Sequence, residues 1–163
     1  MLTTVIQVLA ALAGIGAVLT VVFVVSFRTK FAPVQKLIRR TNRRFTNPRV
    51  LRRDAGEPGA YASVVHHTGR RSGTPYRTPV VVEEAGDDAY VVALPYGPTA
   101  DWVRNVMTTG AATIDHDGRT IPVDRPSLIG LDQGNPHFPA KEQRTHRRFG
   151  VTDFLLLHDA VHS

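Results

Sequence analysis

The sequence predicts a mainly β domain, a small antiparallel barrel or half-barrel, preceded by one transmembrane helix and a basic amphipathic helix. Three observations predict this: an apolar run near the N-terminus, ten Lys and Arg residues without an acid between Arg28 and Arg53, and short β-type runs from Tyr61 onward. The 163 residues therefore divide into a membrane anchor over 1–27, a basic juxtamembrane helix and linker over 28–60, and one folded domain over 61–163.

The first element is the apolar run from Val5 to Val25, which only Gln7, Thr20 and small residues interrupt. A helix needs roughly 20 apolar residues to cross the hydrocarbon core of a bilayer. The positive charge follows this run, whereas in a cleaved signal peptide it precedes the run, so we expect a retained single-pass anchor in the cell membrane. Because Lys and Arg beside a span stay on the cytoplasmic side, we expect the folded domain on that side.

The second element is a basic amphipathic helix. Pro33 can open a helix, and apolar residues recur after it at helical spacing: Val34, Leu37, Ile38 and Phe45. The cations from Arg28 to Arg53 are predicted to contact anionic membrane lipids. Nucleic-acid contact is the alternative, and the charge distribution disfavours it: from Asp54 onward there are ten basic and fourteen acidic residues, so the net charge of +6 arises in the short basic segment.

The folded domain alternates short β-type runs with turn sequences. The predicted strands are 61–66, 77–84, 89–94, 111–115 and 119–123. The Asp117-Gly118 dipeptide between the last two is a strong signal for a type I′ hairpin. A short inserted helix is predicted from near Thr99 to Gly110.

The C-terminal part contains two further short elements. Residues 139–148 are predicted to form a helix, and residues 152–158 are predicted to form either another helix or a buried strand. Consecutive antiparallel strands with one inserted helix indicate a small barrel or half-barrel rather than a parallel α/β sheet.

The composition excludes several kinds of chemistry. The absence of cysteine excludes a disulfide scaffold, iron–sulfur ligation and a thiolate nucleophile, so redox chemistry would need a bound cofactor. We predict no metal site, because the adjacent His66 and His67 point to opposite faces of a strand and the other histidines lack carboxylates at ligand spacing. The sequence has no P-loop, no Rossmann fingerprint and no G-x-S-x-G elbow.

The most specific motif lies between the first two predicted strands. It consists of Thr68, Gly69, Arg70, Arg71, Ser72 and Gly73, followed by Pro75, Arg77, Thr78 and Pro79. A second patch around the inserted helix consists of Gly97, Trp102 and Asn105. In order and spacing, the two patches resemble the deazaflavin-dependent nitroreductase family, the F420H2-dependent quinone reductases, over about residues 61–126.

This resemblance implies a split β-barrel related to the FMN-binding fold, with coenzyme F420 held in a groove. FMN or haem is the alternative ligand. The implied acceptor is a small molecule such as a quinone or nitro compound, and a homodimer is one assembly that the resemblance allows. The residues implied to bind the cofactor are Thr68, Gly69, Arg70, Arg71, Ser72, Gly73, Arg77, Thr78, Pro79, Tyr96, Gly97 and Trp102.

The residues of the turn agree with an anionic ligand such as F420, which carries phosphate and carboxylates. Gly69 and Gly73 would allow positive φ and present backbone N–H groups, while Arg70 and Arg71 supply forked donors for phosphate or carboxylate oxygens. The alternative is a solvated hairpin loop. Arg77 either joins the anion site or pairs with a glutamate at position 83 or 84.

Tyr96 is the candidate catalytic residue, because it could stack on the deazaflavin or donate a proton to the reduced acceptor. For Tyr96 and for Trp102, the alternative to a ligand contact is the role of a core or interface aromatic. For Asn105, the alternative is that its side chain buttresses the loop.

The sequence departs from the family pattern in two places. The loop over 94–97 has no basic residue, and the C-terminal part offers Phe149 and Phe154 where nitroreducing members have tyrosines. These departures favour the rival hypothesis, a non-catalytic module of the same fold that holds a lipid, haem or flavin at the membrane.

Overall fold

The computed structural model describes residues 55–161, so the predicted transmembrane and basic helices lie outside the described residues. No helix in this described part is long and apolar enough to cross a bilayer. The described elements, in chain order, are β1 (Ser63–Thr68), β2 (Pro75–Val80), β3 (Val82–Glu84), β4 (Ala89–Ala93), α1 (Asp101–Thr109), β5 (Ala111–His116), β6 (Arg119–Gly130), α2 (Leu131–Gly134), a 3-10 turn (Asn135–His137), α3 (Ala140–Phe149) and β7 (Asp153–Asp159).

The seven strands of residues 55–161 form one antiparallel sheet in the order β2-β1-β5-β6-β7-β4-β3. The two edge strands, β2 and β3, are separated in the chain by Val81 alone. In a flat sheet of seven strands the two edges would lie roughly 29 Å apart, at about 4.8 Å per strand. The sheet must therefore curl until its edges meet at Val81. The result is a half-barrel, which fits the predicted split β-barrel.

The prediction of one strand over 77–84 is wrong, because the chain leaves one sheet edge and enters the other at Val81. Val80, Val81 and Val82 form an unbroken apolar run, so no polar turn residue marks the break. Pro75 and Pro79 both lie on β2, and proline without an N–H donor is tolerated on such an edge strand.

β4 and β7 are covered on both faces of the sheet. Tyr90 and Leu155 belong to a core inside the curl, whereas Val91 and Phe154 belong to a second core outside it. A strand buried on both faces loses the alternation of polar and apolar residues. For this reason the sequence pattern of residues 152–158 fits both a helix and a strand. The structure confirms the strand alternative, which is β7.

Two longer helices pack beside the sheet. α1 buries Val103 and Val106 in the inner core and ends at Gly110, which adopts a left-handed φ of 74°. α3 lies next to the outer core. It matches the predicted helix to within one residue at each end. The short α2 and the 3-10 turn were not predicted from the sequence.

The β5–β6 hairpin confirms the predicted type I′ turn, because Asp117 and Gly118 both have positive φ, 47° and 73°. The segment before β1 packs on this turn. The Gly118 N–H donates to the Gly56 carbonyl at 2.7 Å, and the Gly59 N–H donates to Oδ1 of Asp117 at 2.8 Å. β6 continues seven residues beyond the predicted end, through an irregularity between Asp124 and Ser127.

Candidate functional site

A cavity of about 880 Å³ lies beside Val81, where the two edges of the sheet meet. Its wall is formed by the turn after β1, by β2, by the loop after β4, and by one face each of α1 and α3. This volume is in the range of small-molecule sites. The elements that converge on the cavity include both sequence patches that carried the family resemblance.

Ten of the twelve residues predicted to bind the cofactor line this cavity: Gly69, Arg70, Arg71, Ser72, Arg77, Thr78, Pro79, Tyr96, Gly97 and Trp102. The other two do not. Thr68 pairs with Pro75 in the β1–β2 ladder, and Gly73 closes the turn with a left-handed φ of 65°. The position of the ten residues is an observation, whereas their binding of a cofactor stays a prediction.

Arg70 is tied to α1. Its Nη1 donates to Oδ1 of Asn105 at 2.8 Å, its Nη2 lies 3.3 Å from Oδ1 of Asp101, and its backbone N–H donates to Oδ1 of Asn105 at 3.2 Å. Arg71 differs: it is exposed at the cavity, and no hydrogen bond or ion pair engages it within residues 55–161. In this structure Arg70 fastens the turn to the helix, while the Arg71 guanidinium remains open to a ligand.

The glycine N–H groups of the turn are used inside the turn, contrary to our expectation. Gly69 donates to the Thr74 carbonyl at 2.8 Å, and Gly73 donates to the Gly69 carbonyl at 2.8 Å. Gly69 also lacks the expected positive φ; its requirement is steric, because a Cβ there would lie 2.6 Å from Oγ of Ser72. Recognition of an anion at this turn is therefore left mainly to side chains.

A chain of hydrogen bonds continues from Asn105 to the cavity wall. Because Oδ1 of Asn105 accepts from Arg70, its Nδ2 faces Nδ1 of His67 at 3.1 Å and donates to it. The ring proton of His67 is then on Nε2, which lies 3.0 Å from the Thr78 hydroxyl oxygen. The Thr78 hydroxyl thus accepts from the ring, and its own proton can be donated to a ligand in the cavity.

His67 is held neutral at physiological pH. Burial is the larger cause and the neighbouring His66 the smaller cause that together lower its pKa to about 4. The ring also stacks on Tyr76, with centroids 5.7 Å apart. Sequence reasoning treated His67 only as a poor metal ligand; the signal that it missed was the two-residue strand period, which puts His67 on the same face as the buried Val65.

Asn105 supports the turn after β1, because its Oδ1 accepts from the backbone N–H and from Nη1 of Arg70. Trp102 borders the cavity and also packs against the inner core; its contact with a ligand stays a prediction. Tyr96 is half-buried at the cavity, in a tight turn in which the Gly97 N–H donates to the Leu94 carbonyl at 2.9 Å.

Arg77 lines the cavity and also a second pocket beside His66, and its charge is one of the causes that lower the pKa of Asp115. Glu84, one of its two expected partners, instead pairs with Arg119 at 2.5 Å. Arg77 therefore borders the cavity, and its binding of an anion stays a prediction. In residues 55–161, no group of three His, Asp or Glu residues is arranged to hold a metal ion.

One face of α3 forms the remaining wall. Its lining residues are spaced at helical intervals: Glu142, Thr145, His146 and Phe149. Sequence reasoning named only Phe149 among these, and Phe154, which it named with Phe149, is buried in the outer core instead.

His146 is wedged between the rings of Phe138 and Phe154, with centroids 4.8 and 5.5 Å away. Its Nδ1 lies 2.8 Å from Oδ1 of Asn135. Burial lowers the pKa of His146, so this ring is also neutral. The α3 wall therefore carries one negative charge toward the cavity, that of Glu142.

Comparison with known proteins gives a family and several distant structural likenesses. No curated protein matches the sequence. Among solved structures, an F420-H2 dependent reductase is 12% identical, with 60% of this chain and 93% of that chain covered and a TM-score of 0.45. Another F420 reductase is 10% identical, with coverage of 61% and 86% and a TM-score of 0.43. An FMN-binding protein from Syntrophomonas wolfei is 16% identical, with coverage of 77% and 92% and a TM-score of 0.42.

The family model of the F420H(2)-dependent quinone reductases matches residues 38–138. This match includes the turn after β1, β2, the loop after β4 and α1, which form most of the cavity wall. Because it covers more than half of the 163 residues, this chain belongs to the F420H2-dependent quinone reductase family, whose cofactor is coenzyme F420.

Proposed function

We propose that this protein passes a hydride from reduced F420 to a quinone at the cytoplasmic face of a membrane. Family membership makes the chain an F420H2-dependent oxidoreductase with a small-molecule acceptor; the quinone and the membrane are the proposed parts. The observation that carries the proposal is one cavity that arginine and aromatic side chains line together.

The residues of the cavity fit F420. Arg71 and Arg77 offer forked donors for phosphate and carboxylate oxygens, and neither is engaged by an ion pair within residues 55–161. Tyr96 and Trp102 offer aromatic surface for a planar ring. When bound, F420H2 supplies the hydride, while the chain binds and orients the reactants and excludes water.

The roles of the individual side chains follow from their contacts. Arg70 and Asn105 hold the turn in place, so Arg71 is presented to an anionic group without further ordering of the backbone. The Thr78 hydroxyl, oriented by the neutral His67, donates a hydrogen bond to a ligand oxygen. Tyr96 is the candidate proton donor to the reduced acceptor, since it borders the same cavity.

The membrane part of the proposal is supported by the sequence. The run from Val5 to Val25 is long enough to span a bilayer, and the cations that follow it favour retention on the cytoplasmic side. A tether of this kind raises the local concentration of a lipid-soluble acceptor, which favours a quinone over a soluble one. Protease protection in right-side-out and inside-out vesicles tests the orientation; digestion of the domain from the outer face would contradict it.

A homodimer, also proposed, is tested by sedimentation equilibrium.

The rival function is a non-catalytic module that holds a lipid, haem or flavin. The observation that favours it is the loop over 94–97, which brings no basic side chain to the cavity. Calorimetric titration with F420, FMN, haem and a fatty acid separates the two. We expect F420 to bind most tightly and F420H2 to be oxidised when a quinone is added; tight binding of another ligand without turnover would favour the rival.

A further inference from the structure

The cavity wall is electrically polarised. Arg71 and Arg77 lie toward the β1–β2 turn, whereas Glu142 borders the cavity from α3. Arg70 and Asp101, which also border the cavity, pair with each other on the α1 side. One part of the wall is therefore cationic and another part is anionic.

Glu142 of the anionic part also interacts with a second carboxylate, that of Glu83, which does not line the cavity. Burial raises the pKa of Glu83, and the negative charge of Glu142 is the next largest cause. Burial, and next the negative charge of Glu142, raise the pKa of Tyr61, whose side chain lies at the same cavity. Within residues 55–161, no Lys or Arg forms an ion pair with Glu83 or Glu142.

The two kinds of reactant will respond to this polarity differently. The anionic part of the cofactor is attracted to Arg71 and Arg77, which leaves the wall formed by Glu142, Thr145 and Phe149 for the acceptor. A charge in that space would lie near Glu142. We propose that Glu142 is a specificity-determining residue, which makes the cavity accept uncharged carbonyl acceptors and reject acceptors that carry a carboxylate or sulfonate.

The proposal rests on the proposed reductase function and adds the class of acceptor. Two charges 5 to 10 Å apart at a partly solvated site repel by an amount that corresponds to roughly 3- to 10-fold in affinity. The effect is a difference between two acceptors, so it concerns selectivity rather than the overall rate.

The test compares 1,4-naphthoquinone with 1,4-naphthoquinone-2-sulfonate on the full chain. Dissociation constants are measured by calorimetry with and without oxidised F420, and kcat/KM is measured with F420H2. The variants are Glu142→Gln and, as a matched control, Asp87→Asn, an exposed acid in the β3–β4 turn that does not line the cavity. Comparing each variant with the unsubstituted protein cancels the different intrinsic reactivities of the two quinones.

We expect Glu142→Gln to tighten binding of the sulfonate about 5-fold and to leave the uncharged quinone unchanged, while Asp87→Asn alters neither. The discrimination in the unsubstituted protein should also shrink as salt is raised. An unchanged ratio in Glu142→Gln, or an equal change in Asp87→Asn, would overturn the proposal. If F420 binds and turnover occurs but the ratio of the affinities for the two quinones does not change, this inference alone is overturned. If F420 does not bind, the proposed function is overturned. The titrations without cofactor still measure the ratio in that case.

Discussion

The β1–β2 turn and the β5–β6 turn both reverse the chain between antiparallel strands with a left-handed glycine, yet protein covers only the second. A Cβ at Gly118 would lie 2.8 Å from Cγ of Pro58, whereas a Cβ at Gly73 would meet nothing within 4 Å. The covered turn is also bonded to the segment before β1 through Gly56 and Gly59. Similar local signals thus lead to a covered hairpin in one place and to an open turn beside the cavity in the other.

The open turn is fastened from one side only. Arg70 ties it to Asn105 and Asp101 of α1, while Arg71 extends from the same turn without a partner in residues 55–161. A turn that is rigid on its protein side needs little further ordering when a ligand binds on the other side. The two turns therefore differ in the part of the protein to which each is bonded. The following substitutions test this difference.

The largest expected effect is at the fastening itself. Asn105→Ala removes the acceptor for Arg70 and the donor for His67, and it leaves buried polar groups unpaired. We expect a loss of about 3 kcal/mol in the free energy of unfolding, measured by urea denaturation. Thr108→Ala on the exposed side of the same helix should change this free energy by less than about 0.5 kcal/mol. Equal losses in the two variants would mean that Asn105 does not fasten the turn.

A pH titration tests the same fastening through His67. Its folded-state pKa is lowered from 6.5 to about 4, so its contribution to stability is present above pH 6.5 and is lost as the pH falls through about 4. The contribution is up to about 3 kcal/mol, and His146, whose pKa is also lowered, adds in the same direction. Denaturation between pH 7 and pH 4, with an NMR titration of the His67 ring, measures it.

Asn105→Asp is the matched variant for this titration. A carboxylate facing Nδ1 of His67 would stabilise the charged ring, so the ring pKa should rise and the acid loss of stability should shrink. A His67 ring that titrates near 6.5 in the unsubstituted protein would contradict the hydrogen-bond chain.

Much of the fold could be predicted from local patterns, because several elements carry short-range signals. The Asp117-Gly118 turn and the helix that ends at Gly110 depend on backbone preferences of a few residues, and both were found where expected. The break at Val81 could not be predicted, because it depends on which strands pair across the curled sheet. An apolar run of three valines contains no signal that the chain passes from one edge of the sheet to the other.

The site divides in the same way. The motif identified the turn whose side chains reach the cavity, but it gave Arg70 and Arg71 the same role. Their difference arises from Asn105, which is 35 positions away from Arg70 in the chain and is brought to it only by the packing of α1 on β1. The α3 wall could not be predicted, because its residue types are those of any exposed helix and carry no signal for a cavity.

A smaller effect separates the two turns by their glycines. Gly73→Ala and Gly118→Ala both force alanine into a left-handed conformation, which costs about 1 kcal/mol. Gly118→Ala must in addition displace Pro58, so we expect a total of about 2 kcal/mol, measured as the difference in urea midpoint at constant slope. Equal losses would show that the segment before β1 covers the second turn only loosely.

The smallest expected effect concerns a side chain that contributes to binding and not to folding. Arg71→Ala removes a guanidinium that no residue of 55–161 engages, so the free energy of unfolding should stay within about 0.5 kcal/mol of its original value. F420 affinity, measured by calorimetry, should nevertheless fall about 10-fold, because a charge-assisted hydrogen bond to an anion contributes about 1.5 kcal/mol at an exposed site. Arg119→Ala is the control, since that arginine lies beside the covered turn and pairs with Glu84. Equal losses of affinity at Arg71 and Arg119 would mean that diffuse positive charge attracts the cofactor, and an unchanged affinity in Arg71→Ala would mean that the open turn is not where the anionic part of F420 binds.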